Sequence, residues 1–102
     1  FKRMSTAKGA EELYVFATEG MRAAVNHEAV LEQIAAETGV FVDLISPRRE
    51  AELSWRGIQL DSSALPARVM FEVGGGSTQI AVIMDGQFVE SQSLPLGTGR
   101  VL

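Results

Sequence analysis

The sequence predicts an α/β fold, and two patterns along the chain carry that prediction. In the first part, helical and strand-like hydrophobic patterns alternate, an order that favours parallel strands connected by helices. Near the end, Asp85-Gly86 stands between two apolar stretches, which is a strong signal for an antiparallel hairpin. Together the patterns predict either one mixed sheet with helices or two half-domains that meet near residues 60–67.

The first elements alternate between helix and strand. A helix is predicted from Phe1 to Lys8, because Gly9 suits the left-handed position that follows a helix end. The bulky apolar run Leu13–Ala17 predicts a buried strand. Residues 18–26 are expected to contain a short turn of helix before the next long element.

The second helix–strand–helix series has clearer boundaries. Asn26 is a suitable helix N-cap and Gly39 a suitable stop, so a helix is predicted between them. The apolar stretch Val40–Ile45 predicts the second strand. Ser46-Pro47 then places a capping hydroxyl before a proline at the first helical position, which predicts a helix running to Gln59.

The last third of the chain predicts a linker followed by three strands. The stretch Leu60–Pro66 has no hydrophobic periodicity and is the best linker candidate. The predicted strands are Val69–Val73, Gln79–Met84 and Gln87–Ser93. The chain turns away from the last strand after Leu94.

The composition excludes several classes of protein. Of 102 residues, 46% are hydrophobic and 22% charged, which is typical of a globular domain. The longest apolar run, Ile80 to Met84, is far shorter than the ~20 residues of a membrane helix, so no membrane is expected as a partner. The absence of cysteine excludes a thiol nucleophile, and a single histidine, His27, excludes a two-histidine metal site. The net charge of -4 argues against nucleic acid.

The loop that follows Val73 predicts an anion site. Successive glycines cost conformational entropy, and a fold tolerates them where φ is positive or where another group approaches the backbone. Free N–H groups in such a turn form an anion-binding nest, to which hydroxyls add donors, so phosphate is the expected guest. A tight turn without a ligand is the alternative. The candidate phosphate-binding residues are Gly74, Gly75, Gly76, Ser77 and Thr78.

Five charged residues are further candidates, with solvated surface charge as the alternative for each. Glu72 lies in an otherwise apolar strand two residues before the glycines, where a carboxylate can hold Mg²⁺ or orient a water. Glu50 lies in the helix after the second strand, where sites gather in α/β sheets, and is a candidate general base. Arg22 follows the first strand and could clamp a phosphate. Arg48 and Arg49 could assist an anionic ligand.

Five segments, in order and at matching intervals, resemble those of the exopolyphosphatase and guanosine pentaphosphate phosphohydrolase family. Ala17–Arg22 resembles the family's "ATxAxR" segment, Asn26–Gly39 resembles the helix that follows it, and Ile45–Leu53 resembles the "ISGxEEAxL" segment. Glu72–Gln79 resembles the "DIGGGSTE" loop, and Ser93–Gly97 resembles the "SLPLG" segment.

The resemblance implies an actin-like ATPase fold with two RNase-H-like half-domains around a cleft. Residues 1–62 would form the C-terminal part of the first half-domain, and residues 63–102 the start of the second. It also implies a fragment of a longer cytoplasmic protein, inactive when isolated. A fragment of this kind would expose the edges of its sheets, and an exposed edge is a template for pairing with another copy. A homodimer is therefore expected.

The activity implied by the resemblance is Mg²⁺-dependent hydrolysis of polyphosphate or of the 5′ phosphate of guanosine pentaphosphate. Glu50 matches the family's catalytic base, the Gly74–Thr78 loop matches its phosphate loop, and Arg22 matches an arginine facing the cleft. Glu72 and Gln79 match two acidic residues implicated in metal binding, but replace Asp and Glu respectively. Those replacements motivate the alternative of a non-catalytic regulatory module that binds nucleotide or polyphosphate.

Overall fold

A computed structural model describes residues 1–61, residue 66 and residues 68–99. The helices in this part are α1 (Lys2–Ala7), α2 (Glu19–Arg22), α3 (His27–Thr38) and α4 (Pro47–Gln59). The strands are β1 (Val15–Ala17), β2 (Val42–Leu44), β3 (Val69–Val73), β4 (Thr78–Met84) and β5 (Gln87–Leu94). None of these helices is both long enough and apolar enough to span a bilayer.

Parallel and antiparallel pairing occur in separate sheets. Strands β1 and β2 are parallel, with Val15 opposite Val42. Strands β3, β4 and β5 form an antiparallel sheet in that order. The α/β class is confirmed, and the two pairing patterns do not merge into one mixed sheet among the described residues. The predicted linker Leu60–Pro66 and the boundary after residue 62 lie largely outside those residues, and both stay predictions.

Turn and cap residues set most of the element boundaries. The Ser46 hydroxyl oxygen accepts a hydrogen bond from the Arg49 N–H at 3.1 Å, as expected for the cap of α4. Gly39 follows α3 with φ at 67°, as predicted. Asn26 precedes α3, but its side chain makes no capping bond. Its φ and ψ of -109° and 22° explain this difference, because a capping residue is usually extended.

Strand β1 is shorter and more exposed than the predicted buried strand. Leu13 and Tyr14 lie before its start, and the Phe16 side chain is 48% exposed. Among the described residues β1 pairs only with β2, so its two faces are not both covered. A parallel strand is buried only when other elements pack on both faces of its sheet.

The hydrophobic core lies between α4 and one face of the antiparallel sheet. Ala51 and Trp55 are buried and lie one helical turn apart, so they face the same side. They pack against Met70, Ala81 and Ile83, which are buried on β3 and β4. This contact holds the first turn of α4, and therefore Glu50, beside the sheet that carries the glycine loop.

The opposite face of the antiparallel sheet is apolar and exposed in the described part of the chain. Phe71 is 67% exposed and Val73 62%, and both lie on β3. Val82 and Met84 continue the same face on β4. A contiguous apolar surface of this kind normally contacts another part of a protein or another chain.

Candidate active site

Arg22 and Glu50, two of the candidate residues, are in direct contact. The Arg22 Nη2 group donates to Oε2 of Glu50 at 2.8 Å, and Nη1 donates to the main-chain oxygen of Ile45 at 2.7 Å. The two side chains are only 15% and 18% exposed. Arg22 therefore ties α2 to the end of β2 and to the first turn of α4. Oε1 of Glu50 accepts no hydrogen bond from a described residue, which leaves it available as a base.

Glu50 and Glu72 line the same cavity. The cavity has a volume of about 320 Å³ and is lined by ends of β1, β2 and β3 and by α4. Its lining residues are Phe16, Thr18, Ile45, Glu50, Leu53, Ser54 and Glu72. A space of this size suits a small ligand or the end of a longer one.

The glycine loop adjoins this cluster through Glu19. A Cβ atom on Gly76 would lie 3.4 Å from Cγ of Glu19, so the loop backbone and this side chain are close neighbours. Glu19 in turn forms an ion pair with Arg22 at 3.4 Å. Gly76 therefore lies beside Glu19, and ion pairs join Glu19 through Arg22 to Glu50. These four residues come from three segments that are far apart in the sequence.

Positive φ does not explain the three glycines of the loop. The described glycines with positive φ are Gly9, Gly39 and Gly86, none of them in the loop. A Cβ atom on Gly75 would meet no described atom within 4 Å. The described part of the chain thus gives no conformational or steric reason for glycine at Gly75. Of the two explanations expected from the sequence, close approach of another group to the backbone remains.

The loop has free backbone donors, whereas the Thr78 hydroxyl is engaged. The N–H groups of Gly75, Gly76 and Ser77 donate to no described residue, while the Gly74 N–H donates to the Ser77 carbonyl at 2.9 Å. The Thr78 hydroxyl donates to the carbonyl of Leu96 at 2.6 Å. In this conformation an anion would be bound by the backbone, with no contribution from the Thr78 hydroxyl.

The two residues implied as metal ligands lie opposite each other in the β3–β4 pair, in different surroundings. Glu72 is exposed at the cavity. Gln79 is only 2% exposed, and its Nε2 donates to the hydroxyls of Ser77 and Ser93 at 3.3 and 3.0 Å. The Oε1 atom of Gln79 is buried without a partner among the described residues.

This donor set fits a magnesium ion at Glu72 better than at Gln79. Magnesium keeps several waters and is usually bound by one or two carboxylates together with substrate phosphates. Glu72 offers a carboxylate at an open surface. The enclosed oxygen of Gln79 is beyond the reach of a hydrated ion without side-chain movement. Within the described ranges no group of three acidic, histidine or cysteine side chains could hold a metal by itself.

Arg48 and Arg49 do not line the cavity that contains Glu50. The Arg48 guanidinium lies 5.1 Å from the centre of the Phe88 ring, and this cation–π contact links α4 to β5. Arg49 donates to Glu52 at 3.1 Å, and this bond is the main reason that the pKa of Glu52 lies below its usual value. Among the described residues, neither arginine forms a hydrogen bond or an ion pair with the side chains of Glu19, Arg22 or Glu50.

One contact of the loop was not anticipated from the sequence. The end of the Ser93–Gly97 segment, which carried no site role in the sequence, lies directly against the glycine loop. Gly97 and Gly99, two glycines separated by one residue, are the only local signal of that approach.

Comparison with known proteins gives a consistent result over the whole chain. A model of the Ppx/GppA phosphatase family matches residues 1–102. A curated protein named exopolyphosphatase 1, from Mycobacterium tuberculosis strain H37Rv, is 31% identical over 102 residues, covering 99% of this chain and 30% of that protein. A guanosine-5'-triphosphate,3'-diphosphate pyrophosphatase from Photobacterium profundum is 29% identical over 73 residues, covering 72% of this chain and 15% of that protein.

Solved structures agree with the sequence comparison. A Ppx/GppA family member from Aquifex aeolicus superposes with a TM-score of 0.78 and 28% identity, over 94% of this chain and 31% of that one. An exopolyphosphatase from Cytophaga hutchinsonii, 23% identical, has a TM-score of 0.86 over 98% of this chain and 32% of that one, which supports the fold alone. The chain spans less than a third of the length of the curated relatives above.

Proposed function

Because this chain belongs to the Ppx/GppA phosphatase family, with its actin-like ATPase fold, we propose that the protein carrying it hydrolyses terminal phosphoanhydride bonds. One relative of the chain is named as an exopolyphosphatase, and another as a guanosine-5'-triphosphate,3'-diphosphate pyrophosphatase. Polyphosphate and a guanosine pentaphosphate share the anhydride chemistry, and both are candidate substrates. The observation that carries the proposal is the position of the glycine loop at Gly76 beside Glu19, which ion pairs join through Arg22 to Glu50.

Glu50 is the proposed base. Arg22 holds Oε2, and Oε1 accepts a proton from a water as that water attacks the terminal phosphorus. The bond between phosphorus and the bridging oxygen breaks, and the shortened chain leaves with the electron pair of that bond. A carboxylate with one oxygen anchored and the other free keeps a constant direction towards the water, which favours proton transfer.

The backbone of the glycine loop stabilises the negative charge of the phosphate. The free N–H groups of Gly75, Gly76 and Ser77 are suited to phosphate oxygens. Arg22 has five N–H donors, so it can also contact a phosphate while it holds Glu50. Positioning and electrostatic stabilisation of this kind account for most of the catalysis in phosphoryl transfer. Magnesium bound by Glu72 and the substrate would supply further charge neutralisation.

Release of labelled phosphate tests this proposal. The complete protein is incubated with polyphosphate, and separately with guanosine pentaphosphate, in water enriched in ¹⁸O. Attack by water predicts that each released phosphate carries one labelled oxygen. Release from one substrate alone would identify that substrate. The absence of release from both, in the presence of Mg²⁺, would refute the proposed activity.

A regulatory module that binds polyphosphate or nucleotide without turnover is the second candidate, and Gln79 favours it. A neutral amide stands at this position where the family pattern has a carboxylate. Binding of pyrophosphate that does not depend on Mg²⁺, together with the absence of phosphate release, would establish this alternative. The cytoplasmic location and the homodimer stay predictions.

A further inference from the structure

The segment Leu96–Gly99 forms the support beneath the glycine loop. The N–H of Thr98 donates to the carbonyl of Gly74 at 2.9 Å, and the N–H of Gly99 donates to the carbonyl of Gly75 at 2.8 Å. The Thr78 hydroxyl, just after the loop, donates back to the carbonyl of Leu96. The loop is therefore bound to this segment at both of its ends.

Gly97 permits a backbone-to-backbone approach that a side chain would prevent. A Cβ atom on Gly97 would lie 2.5 Å from the carbonyl carbon and oxygen of Gly75, and 2.6 Å from the nitrogen of Gly76. A Cβ atom on Gly99 would lie 3.0 Å from the oxygen of Gly75. Neither glycine has a positive φ, so glycine serves the close contact here and not the backbone conformation.

The hydrogen bonds from this segment determine where two N–H groups of the loop point. In a planar trans peptide the C=O and the following N–H point in opposite directions. The carbonyls of Gly74 and Gly75 are held towards the segment. The N–H groups of Gly75 and Gly76, which belong to the same two peptides, must therefore point away from it. These are two of the free donors described above.

We propose that Gly97 is a positioning residue that aims the N–H groups of Gly75 and Gly76 at the substrate phosphate. This role rests on the proposed phosphatase function. The residue touches no substrate itself and acts through the peptide planes of the loop. A side chain at Gly97 would push those planes away and leave the donors misaligned.

The test replaces Gly97 by alanine in the complete protein. The 2.5 Å contact must open to at least 3.4 Å, so the loop backbone shifts by about 0.9 Å. A misplacement of about 1 Å can cost ~10²-fold in rate, and a loss of that order in kcat/KM for polyphosphate is expected. Gly99→Ala, with its 3.0 Å contact, should give a smaller loss. Gly57→Ala is the control, because its Cβ would meet no described atom within 4 Å.

Hydrogen exchange separates positioning from unfolding and from failure of the proposed function. In Gly97→Ala the amides of Thr98 and Gly99 should exchange faster, while sheet amides such as that of Ile83 keep their protection. If the unaltered protein releases no phosphate, the proposed function fails, and affinity for inorganic pyrophosphate becomes the readout of the loop. If Gly97→Ala does not fold, the same exchange and activity measurements on Gly99→Ala test the positioning role.

Two results would overturn the positioning role. One is a Gly97→Ala variant that matches Gly57→Ala in exchange and in turnover or pyrophosphate affinity. The other is faster exchange at Thr98 and Gly99 with an unchanged kcat/KM and pyrophosphate affinity. The second result would make the Leu96–Gly99 segment a structural support without influence on the phosphate.

Discussion

Replacement of Arg22 by glutamine should destabilise the fold and disable the site together. The change removes two short hydrogen bonds from a charged donor, at 2.7 Å to Ile45 and at 2.8 Å to Glu50, and a longer one of 3.4 Å to Glu19. It also leaves a carboxylate that is 18% exposed without its partner. Bonds to charged groups contribute ~1.5–3 kcal/mol each, and partial exposure reduces the total, so a loss of about 2–4 kcal/mol is expected.

Arg56→Gln is the matched control for Arg22→Gln. Arg56 donates to Glu52 at 2.8 Å, the same length as the bond between Arg22 and Glu50, but its side chain is 62% exposed. Exposed ion pairs contribute little to stability because water screens them, so this variant should unfold at nearly the same urea concentration as the unaltered protein.

The assay combines urea unfolding with phosphate release. Arg22→Gln should shift the unfolding midpoint and lower kcat, whereas Arg56→Gln should change neither by much. If both variants unfold at the same midpoint, the reasoning about the partly buried pair is refuted. If Arg22→Gln unfolds early but keeps full kcat under conditions where it is folded, Arg22 stabilises the fold and does not hold Glu50 for catalysis.

Three further predictions concern separate parts of the molecule. Gly75→Ala should leave stability unchanged, because the new Cβ meets no described atom within 4 Å. It should lower kcat/KM for polyphosphate, because the Cβ would obstruct a phosphate that approaches the loop backbone. An unchanged kcat/KM would contradict phosphate binding by the loop. Trp55→Ala should cost ~3–5 kcal/mol in urea unfolding, because the side chain is 7% exposed in the core. The pKa of Tyr14 should lie above 10.0, mainly because its hydroxyl donates to Asp43. The hydrogen bond from Tyr14 to Asp43 should therefore stabilise the fold at neutral pH, and this stabilisation should be lost as the pH rises through the raised pKa of Tyr14. An NMR titration that gives Asp43→Asn the same Tyr14 pKa would contradict this.

Local chemistry made most element boundaries predictable. Ser46-Pro47 contains its own start signal, and the structure shows the capping bond. Asp85 and Gly86 both have positive φ, at 50° and 73°, as a two-residue hairpin turn requires. These features depend on a few neighbouring residues and need no information about the rest of the fold.

The features that the sequence did not predict depend on contacts between distant segments. The bond between Arg22 and Glu50 joins residues 28 positions apart, and no periodicity reports it. Exposure of Phe16 depends on which elements cover β1, which an apolar run cannot specify. Glu50 and Glu72 were each recognisable as candidates, but only the fold shows that they line one cavity.

The central claim is that Glu50 acts as the base, and a comparison of two substitutions on the same helix tests it most directly. Glu50→Gln and Glu52→Gln each remove one negative charge from α4, but Glu52 pairs with Arg49 and Arg56 away from the cavity. General base catalysis contributes ~10²–10⁴-fold, so kcat for phosphate release should fall by that factor in Glu50→Gln and stay within about twofold in Glu52→Gln. Equal kcat values for the two folded variants would contradict the account.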